Sequence, residues 1–481
     1  MGPWKHGHAD PPAPQMKNMF MQARFNTARA CAGPGARTMG STRARIATPR
    51  RHVMADITRR TAIGLGGAFG LTALLAACAS GSGGGGGPAT ADLRVWMMTD
   101  SVSQEARDWL KKAFEEQHPG STLTIELQVW DGIVSKLQTS LASADSTPDI
   151  IELGNTQAPT FCAVGALTSL EDMKEELGGA SLTQSLVELG SHDGQMYAAP
   201  FYAGSRLFFY RKDMFEEAGV AVPTSIEELT AAAAELQAAH AGDPSFSGLY
   251  LPGISWQSAL AWQFTEGGRL AEQDGDTWKG SLSSPESQKA FQALQEIWKT
   301  GSTAGGVTDS EVSEKPWVPF NAGETAMFFG FNWHLANIDQ ALVDAGNVGY
   351  FGFPAAAGGD AGHPFAGGSN VAISGRSKNQ DLAKEVMRLI FSQPFQEYFA
   401  SVGGWVPGNL DYAGALGSDE LATLTTEAVR NSVGTPAAQN WALVEGARVI
   451  DDFYVAIAAG GDPVALASAA DAKLTSLLGS A

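Results

Sequence analysis

From Asp92 onward, short apolar runs alternate with stretches in which apolar residues recur every three or four positions, and this alternation limits the possible folds more than any other feature. Leu93-Arg94-Val95-Trp96-Met97 reads as a strand. Residues 103–118 read as a helix with Ala106, Leu110, Ala113 and Phe114 on one face and Pro119 just past its end. Leu123, Ile125, Leu127 and Val129 alternate with polar residues as a strand requires, Ile133, Leu137 and Leu141 mark a helix, and 148–153 form a third strand. Further on, Ser225-x-x-Glu228 predicts a capping box, and Ser284-Pro285 opens a helix that closes at Gly301. This order predicts an α/β fold with parallel or mixed sheets flanked by helices. Ligands of such sheets sit beyond the carboxyl ends of strands, so recognition residues are expected in the loops that follow them.

Ahead of this pattern, Thr58-Arg59-Arg60 precedes a mostly apolar run at 61–77, which is too short for a comfortable membrane span of about 20 residues. It fits an export signal. Leu75-Ala76-Ala77-Cys78 resembles a bacterial lipobox, which implies cleavage before Cys78 and a diacylglycerol on its thiol. Thr58-Arg59-Arg60 matches a twin-arginine signal in part, so the general and twin-arginine routes both stay open. The reading is a spurious extension over 1–53 with Met54 as initiator, a signal at 54–77 and a Gly/Ser/Ala tether at 78–91. The tether contains G-x-G-x-x-G at 81–86, but no strand precedes it, so it carries no dinucleotide signal and no cofactor is expected.

From Cys78 there remain 404 residues, a length that suits two lobes better than one core. Of the 32 basic and 51 acidic residues, 11 and 2 precede Cys78, which leaves 21 and 49 and a net charge of −28. A field of that sign repels phosphate backbones, so nucleic acid is excluded as a partner, and polyanionic ligands are disfavoured. Beyond the lipid site only Cys162 remains, so no intrachain disulfide is expected. The histidines are scattered and no metal site is expected. Among the tryptophans, Trp298 and Trp109 go with the apolar stripes of their helices, whereas Trp130, Trp256, Trp262, Trp333, Trp405 and Trp441 lie at element ends or in Gly/Pro/Asn-rich surroundings and are available to a cleft.

Five stretches, at 148–173, 194–220, 320–338, 367–390 and 441–463, occur in an order that resembles the extracellular solute-binding proteins of bacterial sugar ABC importers, the group that includes maltose-binding proteins. The resemblance implies a two-lobed periplasmic-binding-protein fold of type II, with a hinge, an interlobe cleft that takes a sugar, and a chain that acts as a monomer. Delivery to membrane permease subunits from the outer face of the cell membrane, with the lipid as anchor, is implied as well. Mapped onto this chain, lobe 1 spans 92–203 plus 364–416 and lobe 2 spans 204–363 plus 417–481, with crossings near Tyr202–Arg206 and 363–368. Glycines there suit segments that must absorb large backbone changes.

Asn155, Thr156 and Gln157 follow an apolar strand directly, and their amides and hydroxyl match the donor–acceptor character of sugar hydroxyls, although a turn could also use them. Gly367, Gly368, Ser369 and Asn370 precede another strand and allow close backbone approach, either to a ligand or within a tight turn. Pyranose C–H faces lie flat on aromatic rings, and the resemblance puts such platforms at Trp256, Trp333 and Trp441, with Gln257 and Asn332 beside them and Trp405, Trp130, Tyr202 and Arg206 nearby. Two rival classes stand beside a sugar binder. Arg206 could serve a glycerol phosphodiester or another anionic solute. A glycoside hydrolase needs two carboxylates across the sugar, and Asp131 with Glu324 would be the pair, though no spacing supports it; no catalytic residue is assigned.

Overall fold

The computed structural model describes residues 90–99, 101–275 and 277–479. The lipobox with Cys78, the apolar run before it and residues 1–53 lie outside the described residues.

Ten strands build the two main sheets: β1 (Asp92–Met98), β2 (Thr122–Gln128), β3 (Ile150–Gly154), β4 (Ala198–Gly204), β5 (Leu207–Arg211), β6 (Ser247–Tyr250), β7 (Thr325–Gly330), β8 (Val348–Phe351), β9 (Gly367–Ile373) and β10 (Val406–Pro407). The first sheet has the order β10-β4-β9-β3-β1-β2 and the second β8-β5-β7-β6. Both are mixed. In the first, β1 is parallel to β2 and β3 while β9 is antiparallel to β3 and β4.

Each sheet is the middle layer of its own lobe. Leu93, Val95 and Met97 face one core with Leu110 and Phe114 of the helix Gln104–Gln117, whereas Trp96 and Met98 face another with Ile133, Leu137 and Phe161. Burial on both faces explains why these strands read as nearly continuous apolar runs. In the second sheet Phe208 stacks on Phe351 at 4.6 Å, while Phe209 on the opposite face stacks on Phe328 at 4.8 Å. The C-terminal helices Trp441–Gly446, Val449–Ala458 and Pro463–Leu478 close the core on the Phe208 side through Phe453, Tyr454 and Leu474.

The helix starts follow from local chemistry. Ser103 and Ser284 cap their helices by accepting from the N–H groups of Ala106 and Ser287. Ser225 caps the helix Ile226–Ala239 through the Glu228 N–H at 3.1 Å. The reciprocal half of the expected capping box differs, because the Glu228 carboxylate takes the Thr224 N–H at 2.8 Å instead of that of Ser225.

The chain passes between the sheets at three segments that lie side by side. Only Ser205 and Arg206 separate β4 from β5. The Ser205 hydroxyl donates to Phe365 O at 3.0 Å on the return segment. Ala366 N–H in turn donates to Val433 O, and Val433 N–H to Pro364 O, both at 2.9 Å. These bonds bundle the crossings into a hinge, and the strand ends beside it frame a cleft. Gly368, at φ +135°, passes so close to β4 that a Cβ would lie 2.3 Å from Tyr202 O. Its lack of a side chain therefore serves the packing of two strands.

At the cleft end of the first sheet, the Glu152 carboxylate on β3 is 1 % exposed. It accepts from Met98 N–H at 2.8 Å and from the hydroxyls of Ser101, Ser369 and Tyr202 at 2.7, 2.7 and 3.1 Å. Burial raises its pKa, and the four donors oppose that rise. Glu152→Ala would leave these donors buried without their acceptor, so unfolding in urea should show a loss of about 3 kcal/mol. A loss below about 1 kcal/mol would mean that the network contributes little to the fold.

Candidate functional site

Two cavities meet at the cleft. The larger, of about 400 Å³, is walled by the second lobe and the hinge, including Arg206, Trp256, Glu314, Trp317 and His334. The smaller, of about 200 Å³, lies against the first lobe between Trp130, Tyr202, Gly367, Gly368 and Trp405. Phe331 and Trp333 line both.

Trp333 holds this position because of what surrounds it. Its ring stacks on Phe331 at 4.2 Å with 10° between the planes and meets Trp405 of the first lobe at 4.5 Å. Gly204 lets both indoles rest on the crossing strand, since a Cβ there would sit 3.2 Å from Trp333 and 3.4 Å from Trp405. Trp405 in turn packs against Tyr202 at 4.5 Å. Arg206 lies over Phe331, 4.4 Å from the ring centre. Trp333 already covers one face of that ring, which leaves the other for the guanidinium.

The electrostatics are unusual for a cleft of so acidic a chain. Burial pulls Arg206 down to about 10, which leaves it charged at neutral pH. Burial, helped by the Arg206 charge, pulls His334 down to about 3, so its ring is neutral. Its Nδ1 is buried and has no hydrogen-bond partner among the described residues. Glu314 and Asp451 line the same cavity, and Asp451 pairs with Arg448 at 3.3 Å.

The structure brings many of the sequence-derived candidates together and reassigns others. Arg206, Trp256, Gln257 and Trp333 line the larger cavity, and Tyr202, Gly367, Gly368, Trp333 and Trp405 line the smaller. Asn332 ties the lips together, its Nδ2 donating to Gly404 O at 3.0 Å. Gln157 packs beside Trp130 at Gly154, with its Oε1 buried and unpartnered among the described residues. Thr156 hydrogen-bonds the Glu445 carboxylate on the far side of the cleft, whose pKa burial raises.

Five binding candidates and the pair of carboxylates weighed for a hydrolase are corrected. Asn155 is 5 % exposed and its amide is committed to Ala366 O at 2.8 Å, so it pins the loop to the return crossing. Ser369 and Asn370 are 0 % exposed: the first serves Glu152 and the second donates to Leu186 O and Ala198 O, each at 3.0 Å. Trp441, also 0 % exposed, is enclosed in the second lobe's core, where its indole N–H donates to Glu445 at 3.1 Å. Trp262, expected to be available to a cleft, is buried against Phe353 in the same core. Asp131 and Glu324, the hydrolase pair, are exposed and line neither cavity.

Sequence reasoning did not single out Tyr250, Glu314, Trp317, Phe331 or Asp451, all of which line the larger cavity. A usable signal existed for Trp317, which stands directly after Pro316 in a segment with little periodicity.

Two α/β lobes, a hinge of three chain segments side by side and an aromatic cleft define a binding protein that holds a solute between its lobes. The sequence profile of the bacterial extracellular solute-binding protein family matches residues 109–425, and the chain belongs to that family. Its relatives include the diacetylchitobiose binding protein DasA of Streptomyces coelicolor, 30 % identical over 420 residues that cover 84 % of this chain and 95 % of that protein. The sn-glycerol-3-phosphate-binding periplasmic protein UgpB of Agrobacterium fabrum is 23 % identical over 66 % of this chain and 74 % of its own. Among solved structures, the sugar-binding protein MalE of Xanthomonas citri superposes with a TM-score of 0.71 at 22 % identity, covering 80 % of this chain and 97 % of that one, and it shares the fold.

Proposed function

We propose that this solute-binding protein captures an oligosaccharide outside the cytoplasm, closes its lobes over it and presents it to the permease of an ABC importer. The observation that carries the reading is the run of aromatic rings through both cavities, from Trp256 and Trp317 past Phe331 and Trp333 to Trp405 and Trp130. Flat apolar faces interrupted by a few polar side chains suit a chain of pyranose rings. The similarity to DasA supports a sugar. The protein acts as a binder and returns the oligosaccharide uncut; release of shorter sugars on incubation would count against this. The lipid on Cys78 holds it at the membrane, where two acyl chains suffice for stable anchoring. Cys78→Ser should therefore appear in the medium, and its retention with membranes would rule the anchor out.

Trp333→Ala tests the site. The ring is half-buried at the junction of the cavities, outside the lobe cores. Titration calorimetry with a bound oligosaccharide should show a loss of about 2 kcal/mol or more, some thirtyfold, as at other binding hot spots. The melting temperature without sugar should change little. A large fall in melting temperature with unchanged affinity would make Trp333 a structural residue and remove the centre of the proposed site.

A further inference from the structure

The two cavities differ in what their walls can recognise. Arg206, Gln257, Glu314 and Asn337 line the larger one, so a sugar there meets donors, acceptors and charge. The smaller one is walled by the rings of Trp130, Tyr202, Phe331, Trp333 and Trp405, with three glycines completing it. Among the described residues no carboxylate, amide or aliphatic hydroxyl lines it. Its polar side-chain atoms are indole N–H groups, which donate and do not accept, and the Tyr202 hydroxyl, which donates to Glu152 at 3.1 Å.

That wall reads faces rather than hydroxyl patterns. A sugar hydroxyl needs an acceptor for its hydrogen as well as a donor for its oxygen, and leaving water without them is unfavourable. A flat ring that carries no hydroxyls gives up nothing of the kind and still covers the aromatic faces. The space suffices, at about 200 Å³ here against the ~150 Å³ of an apolar cavity that takes up benzene. Phe331 and Trp333 line both cavities, so a ring in the smaller one is continuous with a sugar in the larger. We propose that the smaller cavity takes an aromatic aglycone, and that the protein binds aryl glycosides with their sugar in the larger cavity and their phenolic ring among Trp130, Trp333 and Trp405. The proposal rests on the oligosaccharide reading and extends it to glycosides of phenols. Because an aglycone hangs from the anomeric oxygen, it also sets the direction of the ligand, with the anomeric carbon toward the first lobe.

The test is calorimetry of the full protein with matched series: glucose, cellobiose and 4-nitrophenyl β-glucoside; glucose, maltose and 4-nitrophenyl α-glucoside; N-acetylglucosamine, N,N′-diacetylchitobiose and 4-nitrophenyl N-acetyl-β-glucosaminide. In a series whose disaccharide or longer homologue binds, the aryl glycoside should bind within about tenfold of it and about tenfold or more above the monosaccharide. Trp405→Ala should weaken the aryl glycoside about tenfold and leave the monosaccharide within about threefold. An aryl glycoside no tighter than the monosaccharide, or equal losses for the two in Trp405→Ala, would overturn the aglycone site while leaving a sugar binder in place. An aryl glycoside that binds where no oligosaccharide does would keep the aglycone site and overturn the oligosaccharide reading. If nothing in any series binds, both fall. Melting curves identify a variant that does not fold, and the wild-type comparison then decides.

Discussion

The cleft depends on a carboxylate that never reaches it. Glu152 is buried in the first sheet and is tolerated there because three hydroxyls and a backbone N–H point at it from neighbouring chain segments. One of those hydroxyls belongs to Tyr202, whose orientation is thereby set from within the lobe. A series of ring contacts leads outward: Tyr202 to Trp405 at 4.5 Å, Trp405 to Trp333 at 4.5 Å, Trp333 to Phe331 at 4.2 Å, and Phe331 to Arg206 at 4.4 Å. A single polar anchor thus fixes an aromatic surface that crosses from one lobe to the other. A purely apolar core at the same place would pack as well but would hold Tyr202 less specifically.

The polar ties across the cleft suit a reversible closure. Thr160 donates to Gln439 O at 2.7 Å, Asn332 to Gly404 O at 3.0 Å, and Thr156 meets Glu445. Each such bond contributes about 1 kcal/mol net, because water replaces it when the lobes part. Contacts of this size can be made and broken at a hinge whose three crossings stay bundled by backbone hydrogen bonds. A solute touching both lips then adds the free energy that selects the closed arrangement.

Much of the fold is legible in the sequence because its signals are local. Strands buried on both faces appear as apolar runs, and Ser103, Ser225 and Ser284 announce the helices they cap. The cleft was legible where an aromatic residue sits among glycines, prolines or amides, as with Trp256, Trp333 and Trp405. The same rule misplaced Trp441 and Trp262, which are enclosed in the second lobe's core, Trp262 against Phe353 far downstream in the sequence. Ser369 and Asn370 looked like ligand groups because their partners, Glu152, Leu186 and Ala198, lie some 170 to 220 positions upstream. Glu314 carries no local sign of a site, and only the fold turns it toward the cavity, whereas Trp317 after Pro316 fits the rule that found the other cleft tryptophans and was passed over.

The central claim is that one solute is held by both lobes at once, and hydrogen–deuterium exchange with and without saturating oligosaccharide tests it most directly. The account predicts slowed exchange at 330–337 in the second lobe together with 154–157 and 404–407 in the first. Protection confined to one lobe, or its absence from all three segments at saturation, would contradict it.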